Sequence, residues 1–243
     1  MSLFRPEFWK IPAVGQADAA RLPELENMLE QRLQGIAERF PRAVFATSLA
    51  VEDMVVTDML CRLKLPVRIV TLHTGRLNPE TETLIARTDE QYGIGIEVFA
   101  PDTDSAERFE REYGAASIYE SVERRRECCR IRKIEPLNRA LSDAPAWLTG
   151  QRRSQSDTRT ELPFEEADTA RGIAKFNPIF DWEETDVWAY AQKHAVPLNA
   201  LYSQGYPSIG CEPCTRPVKL GDPVRSGRWW WESTDSKECG LHK

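Results

Sequence analysis

The chain has 243 residues, 41% hydrophobic and 29% charged, a balance that fits one globular domain of ordinary size and excludes a mainly disordered protein. A formal net charge of -6 excludes a general nucleic-acid binder, because non-specific attraction to phosphate backbones needs a basic surface. No apolar run is long enough to cross a bilayer, and residues 1–14 lack the basic-then-apolar order of a secretory leader. The expectation is a cytoplasmic protein with no membrane or nucleic-acid partner. Its six cysteines are then better read as metal ligands or reactive groups than as disulfides.

Leu22, Leu25, Met28, Leu29, Leu33 and Ile36 recur at helical spacing, which predicts a helix over residues 18–40, ended by Pro41. Short apolar, β-branched runs at 43–47 and 67–72 flank a helical stretch at 53–63, the pattern of a βαβ unit. A helix over 79–92, a strand over 94–99 and a strand over 146–149 continue the alternation. Residues 161–172 read as a loop and 183–194 as a helix. The fold class is therefore α/β, with a doubly wound, mainly parallel sheet, and ligands are expected beyond the strand ends after Thr47, Leu72 and Thr149. Residues 1–220 form the expected main domain. Residues 221–243 have little periodicity apart from Trp229, Trp230 and Trp231, and are expected to form a mobile C-terminal tail held by aromatics.

Cys128 and Cys129 are adjacent, and Cys211 and Cys214 form a Cys-Xaa-Xaa-Cys pair. Four thiolates can hold one zinc ion or an iron-sulfur cluster. Adjacency favours the cluster, since neighbouring sulfurs reach separate irons of a cubane more readily than one small ion. The plain alternative is four buried thiols. Cys61, among Met59, Leu60 and Leu63, reads as packing. Cys239, close to His242 at the end of the chain, is either a nucleophile or an incidental terminal cysteine.

Arg124, Arg125, Arg126, Arg130, Arg132 and Lys133 crowd the first cysteine pair, and Arg152, Arg153, Arg216, Arg225 and Arg228 add further cations. Such runs are usually solvated faces. Beside thiolates and strand ends they would also grip phosphate or sulfate.

Several motifs carry a resemblance: Cys128-Cys129-Arg130-Ile131-Arg132-Lys133 with Glu135-Pro136-Leu137, Gly150-Gln151-Arg152-Arg153, Gly210-Cys211-Glu212-Pro213-Cys214-Thr215-Arg216-Pro217, Gly227-Arg228-Trp229-Trp230-Trp231-Glu232 and the closing Glu238-Cys239-Gly240-Leu241-His242. Together they span most of the chain. The sequence resembles the iron-sulfur sulfonucleotide reductases of sulfate assimilation. The resemblance implies an adenine nucleotide alpha-hydrolase-like fold and one 4Fe-4S cluster on Cys128, Cys129, Cys211 and Cys214. It also implies a nucleotide site drawing on Ser48, Glu52 and Asp53, on Thr74, Gly75 and Arg76, and on Gln151, Arg152 and Arg153. The stretch from Ser48 to Asp53 is similar to that family's modified phosphate loop and lacks the glycines of the ATP pyrophosphatase version, which favours a ligand gripped by side chains. His73 stands where the family usually has aspartate.

By the same resemblance, Cys239 attacks the sulfur of adenosine 5'-phosphosulfate (APS), with Lys133, Arg225, Arg228 and His242 offsetting the meeting charges. A separate thioredoxin then releases sulfite, and a homo-oligomer is compatible with the reading. Three rivals stand: a reductase of 3'-phosphoadenosine 5'-phosphosulfate (PAPS), an RNA-thiolating ATP pyrophosphatase, and a zinc-binding interaction module.

Overall fold

The apolar runs pair into the interior of a sheet. In the computed structural model, which describes residues 7–155, 159–233 and 240–241, β1 (Val44–Thr47), β2 (Arg68–Leu72), β3 (Glu97–Phe99), β4 (Ala146–Leu148), β5 (Glu165–Asp168) and β6 (Ile173–Phe176) form one sheet in the order β3-β2-β1-β4-β6-β5. All neighbours are parallel except the β5–β6 pair. Val44 pairs with Arg68 on one side and with Trp147 on the other. The strand order therefore reverses at β1, and a crevice opens beyond its carboxyl end, between β1 and β4.

Leu22, Leu29, Leu33 and Ile36 are all buried on one face of α1 (Gln16–Arg39), as their spacing predicts. They join Phe45, Trp182, Trp188 and Tyr190 in the main core. Helix α2 (Val51–Arg62) is buried on nearly every side, and its polar residues are accordingly paired. Asp58 accepts hydrogen bonds from the Tyr92 hydroxyl on α3 (Pro79–Tyr92) at 2.9 Å and from the Tyr190 hydroxyl on α7 (Glu184–Lys193) at 2.6 Å, tying three helices together. Cys61 packs against this core, and burial pushes its thiol up to about 12.

Residues 161–172 are not simply a loop. They contain β5, whose sequence Glu165-Glu166-Ala167-Asp168 has no apolar alternation because it is an edge strand held by charge. Glu165 pairs with Arg39, Glu166 with the buried Lys175, and Asp168 accepts from the Trp147 indole at 3.0 Å. Helix α4 (Thr103–Tyr113), capped by Asp102 on the Ser105 amide, was not legible from the polar run that forms it. Helix α5 (Val122–Cys129) runs through a π-helical turn (Arg130–Ile134) into α6 (Glu135–Ala140). Pro136 gives the physical reason: it has no N–H to offer the carbonyl four residues back, and its ring crowds that carbonyl.

The ends of β1 and β4 meet at Gly150. A Cβ there would fall 2.1 Å from Asp53 Oδ1 and 3.0 Å from the Asp53 backbone nitrogen. Gly150→Ala should destabilise the fold by about 1–3 kcal/mol through this overlap, read by urea unfolding. Asp53 is itself buried. Burial pushes its carboxyl up to about 6, with hydrogen bonds from Ser48 pulling down and Glu52 pushing up. The folded state thus holds this proton above the pH at which the unfolded chain releases it, so the contribution of Asp53 to stability falls as pH rises and levels off above pH 6. The stability of the parent minus that of Asp53→Asn should drop by about 2 kcal/mol between roughly pH 4 and pH 7, and a pH-independent difference would contradict this.

Candidate functional site at the strand ends

A cavity of about 410 Å³ fills the crevice, lined by Thr47 and Ser48 at the end of β1, Thr71, Leu72 and Thr74 at the end of β2, and Thr149, Gly150 and Gln151 after β4. The β1–α2 loop forms its floor. Four successive amides there are already donated within the protein: Ser48 N to Asp53 Oδ2 at 2.6 Å, Leu49 N to Thr47 Oγ1 at 3.0 Å, Ala50 N to Ser48 Oγ at 3.4 Å, and Val51 N to the Tyr202 hydroxyl at 2.8 Å. Leu49 adopts φ 62 with its side chain buried, a conformation that costs a non-glycine residue about 1 kcal/mol and that packing must hold. A phosphate cradle needs free amides at this position, and these have partners.

Side chains are arranged otherwise. Glu52 and Arg152 form an ion pair at 2.7 Å on the cavity wall. Burial pushes the Glu52 carboxyl up, but Arg152 beside it outweighs that and leaves it below the usual range. Gln151 Oε1, Arg152 Nε and Arg228 Nε are buried without a hydrogen-bond partner among the described residues. All three side chains line the cavity. Buried polar atoms left open at a concave surface are groups poised for a ligand. Arg225 lines the same wall. Arg228 is held by its bond to the Ile209 carbonyl at 2.9 Å and sits against Gly210, where a Cβ would come 2.4 Å from its Nη2.

A second, smaller cavity adjoins the first. It is lined by Cys128 and Cys129 at the end of α5, by Cys211 and Cys214, and by Arg76, Arg125, Arg132 and Trp229. Lys133, Cys211 and Trp229 line both cavities. Lys133 owes its place to the π-helical turn that follows the cysteine pair. All four cysteines are buried. Burial pushes the Cys214 thiol up to about 11 and the Cys128 thiol up as well. At Cys211 burial also pushes up, but Lys133, the Thr74 hydroxyl 3.3 Å away, Arg228 and Arg76 outweigh it, and the net shift is downward. Among the described residues no three ligand-type side chains converge on a position for one bare ion. All four cysteines line this cavity, and four thiolates are a donor set that suits either a single zinc or an iron-sulfur cluster.

Most of the residues expected from sequence meet here: Ser48, Glu52, Asp53, Thr74, Gln151, Arg152, Arg225, Arg228 and Lys133 at the first cavity, and Arg76 with the four cysteines at the second. Arg153 does not. It is exposed, donates to the Leu162 carbonyl at 2.8 Å and stacks on Phe180. Gly75 lies beside Arg132, where an added Cβ would come 3.0 Å from Nη1. Cys239 and His242 lie outside the described residues. The intervening Gly240 and Leu241 are described: Gly240 lies beside Ile134, and Leu241 lines the first cavity. His73, where the resemblance leads one to expect aspartate, is half exposed and 3.1 Å from Glu82. The sequence reading missed Tyr202, and also Glu110, which binds Arg76 at 2.8 Å and Arg132 at 2.6 Å and so presents both to the cysteine cavity. Neither has a local signal, because each acts on residues far away in the chain.

The Phosphoadenosine phosphosulfate reductase domain family matches residues 42–217. The chain is 55% identical to an adenosine 5'-phosphosulfate reductase of Neisseria meningitidis serogroup B over 100% of this chain and 99% of the relative. It is 54% identical to one of Burkholderia cepacia, over 92% and 88%. Among solved structures it is similar to the phosphoadenylyl-sulfate reductase of Candida auris in its phosphate complex, with a TM-score of 0.68 and 27% identity, covering 86% of this chain and 100% of that one. Yeast FAD synthetase shares the fold at a TM-score of 0.57 and 15% identity, over 85% and 70%. The matched segment contains the strand-end loops and both cysteine pairs, and the chain belongs to the phosphoadenosine phosphosulfate reductase family of sulfonucleotide reductases.

Proposed function

We propose that this chain reduces adenosine 5'-phosphosulfate to sulfite and AMP in the cytoplasm, with Cys239 as nucleophile. The observation that carries the reading is that Lys133 and Cys211 face both cavities at once, so a cation beside the buried cysteines also faces a ligand at the strand ends. The unpaired Gln151, Arg152 and Arg228 atoms suit a nucleotide with anionic substituents. The identity to full-length relatives named for APS favours that substrate over PAPS. The already bonded amides of the β1–α2 loop weigh against an ATP pyrophosphatase, which would need them for phosphates.

In the reaction, the Cys239 thiolate attacks the sulfate sulfur, an S–S bond forms, and the S–O bond to the phosphate breaks with its electron pair leaving on AMP. Lys133, Arg225 and Arg228, with His242 on the tail, offset the charge as thiolate and sulfate approach. A separate dithiol, of the thioredoxin class, then attacks the S-sulfocysteine. Sulfite leaves, the enzyme thiol is restored and the donor is oxidised to its disulfide, which balances two electrons. The dithiol needs access to that sulfur, so the part of the tail beyond Glu232, which carries Cys239, closes for the first step and opens for the second. A 4Fe-4S cluster on Cys128, Cys129, Cys211 and Cys214 would tie the end of α5 to the Cys211 loop and supply a fixed electrostatic wall. The two-electron thiol exchange accounts for the product without it.

Anaerobically purified protein should carry about four irons per chain, and Cys211→Ala should reduce this to background; stoichiometric zinc would overturn the cluster assignment. Cys239→Ser should bind AMP with unchanged affinity yet release none from APS. Lys133→Ala should lower kcat/KM about 100-fold, as expected for removing a charge that acts on developing anions. Turnover of APS by Cys239→Ser at the parent rate would refute the mechanism.

A further inference from the structure

The segment that leads into the tail is tied to both cysteine-bearing parts of the chain. Arg228 bridges Thr215 in antiparallel fashion, and the Trp229 amide donates to the Cys214 carbonyl at 3.1 Å. Trp229 takes φ 42, a left-handed conformation for a bulky residue, and the guanidinium groups of Arg125 and Arg228 each lie 4.7 Å from the centre of its buried ring. Trp231 packs edge-on to Tyr119, whose hydroxyl donates to the Pro213 carbonyl at 2.8 Å. The run ends at Glu232. Its carboxylate takes two parallel bonds from Arg125, Nε to Oε1 at 2.8 Å and Nη2 to Oε2 at 2.7 Å. The side chains are 0% and 3% exposed. The Cys129 sulfur is a further hydrogen-bond partner of the same guanidinium.

A fully buried, bidentate ion pair gives a fixed geometry, and removing one partner leaves an uncompensated charge in the interior. Surface attachment of a tail would need no such pair, and packing of Trp229 and Trp231 already supplies the apolar contact. We propose that Glu232 is a positioning residue for the nucleophile: its ion pair with Arg125 fixes the root of the tail against the helix that carries Cys128 and Cys129. Cys239 lies seven residues further along the sequence, so the reach of its sulfur is bounded at about 25 Å from this root. On the other side of Cys239, Leu241 lines the strand-end cavity. The inference rests on the reading of Cys239 as nucleophile, and it couples the integrity of the cysteine cavity to delivery of that thiol. Positional fixing of a reacting group changes the rate of its step and leaves binding of the partner untouched.

The test uses the full-length, iron-loaded protein and its Glu232→Gln and Arg125→Lys variants. Single-turnover formation of the sulfonate adduct on Cys239 should slow about tenfold or more in Glu232→Gln, while AMP affinity and iron content stay at the parent values. Trypsin cleavage after Lys237, followed by mass spectrometry, should accelerate about tenfold in both variants, because Glu232→Gln removes the charge and one acceptor of the pair and Arg125→Lys leaves a single bond in place of two. Parent rates of both adduct formation and cleavage in Glu232→Gln would overturn the proposal. If that variant loses iron, Arg125→Lys carries the test: faster cleavage with iron retained supports the anchor, and unchanged cleavage overturns it. A parent protein that forms no adduct would refute the nucleophile and leave the cleavage comparison to judge the anchor alone.

Discussion

Two unit negative charges about 4 Å apart repel by about 4 kcal/mol even at an effective dielectric of 20. Four cysteines at one cavity, were they to deprotonate as ligands of a metal centre, would create that problem several times over, and the proposed anionic nucleotide beside them would add to it. The local architecture is arranged around it. Arg76 and Arg132 are held toward the cysteines by a shared carboxylate, Glu110; Arg228 is pinned by the Ile209 carbonyl; and Lys133 is turned into the gap by the π-helical turn before Pro136. An acidic protein thereby concentrates its cations in one place. The downward shift at Cys211, against the upward push of burial, is the local consequence.

The same economy explains the β1–α2 loop. In related nucleotide folds a glycine-rich turn offers free amides to phosphate. Here Asp53, Thr47, Ser48 and Tyr202 take those amides. The loop keeps a strained Leu49, and the open polar atoms at the cavity belong instead to the side chains of Gln151, Arg152 and Arg228. Burial pushes the Asp53 carboxyl up to about 6, while the Ser48 amide and hydroxyl, part of that internal wiring, pull it down. Such a floor is suited to a ligand bound through its substituents more than through a chain of phosphates.

The strands and helices with clear apolar periods were legible in the sequence, down to α3, whose bounds agree. Strand β5 was not, because Glu165-Glu166-Ala167-Asp168 is stabilised by Arg39, Lys175 and Trp147, all distant in the chain. The cysteine pairs and the three strand-end segments announced themselves through residue type and spacing. Long-range partners did not. Tyr202 caps a loop about 150 residues away, and Glu110 sits in a polar run that reads as an ordinary solvated face. Arg153 errs the other way: its motif placed it beside Gln151 and Arg152, but the 3-10 turn beginning there directs it outward.

The central claim is that a thiol at the end of this chain accepts the sulfonate group before any reductant arrives. The direct test is the intact mass of the anaerobically purified protein after incubation with APS alone, followed by peptide mapping. The account predicts one sulfonate adduct, confined to Cys239 and released as sulfite when reduced thioredoxin is added. An iron-loaded protein that binds nucleotide yet gains no mass from APS or PAPS would contradict it.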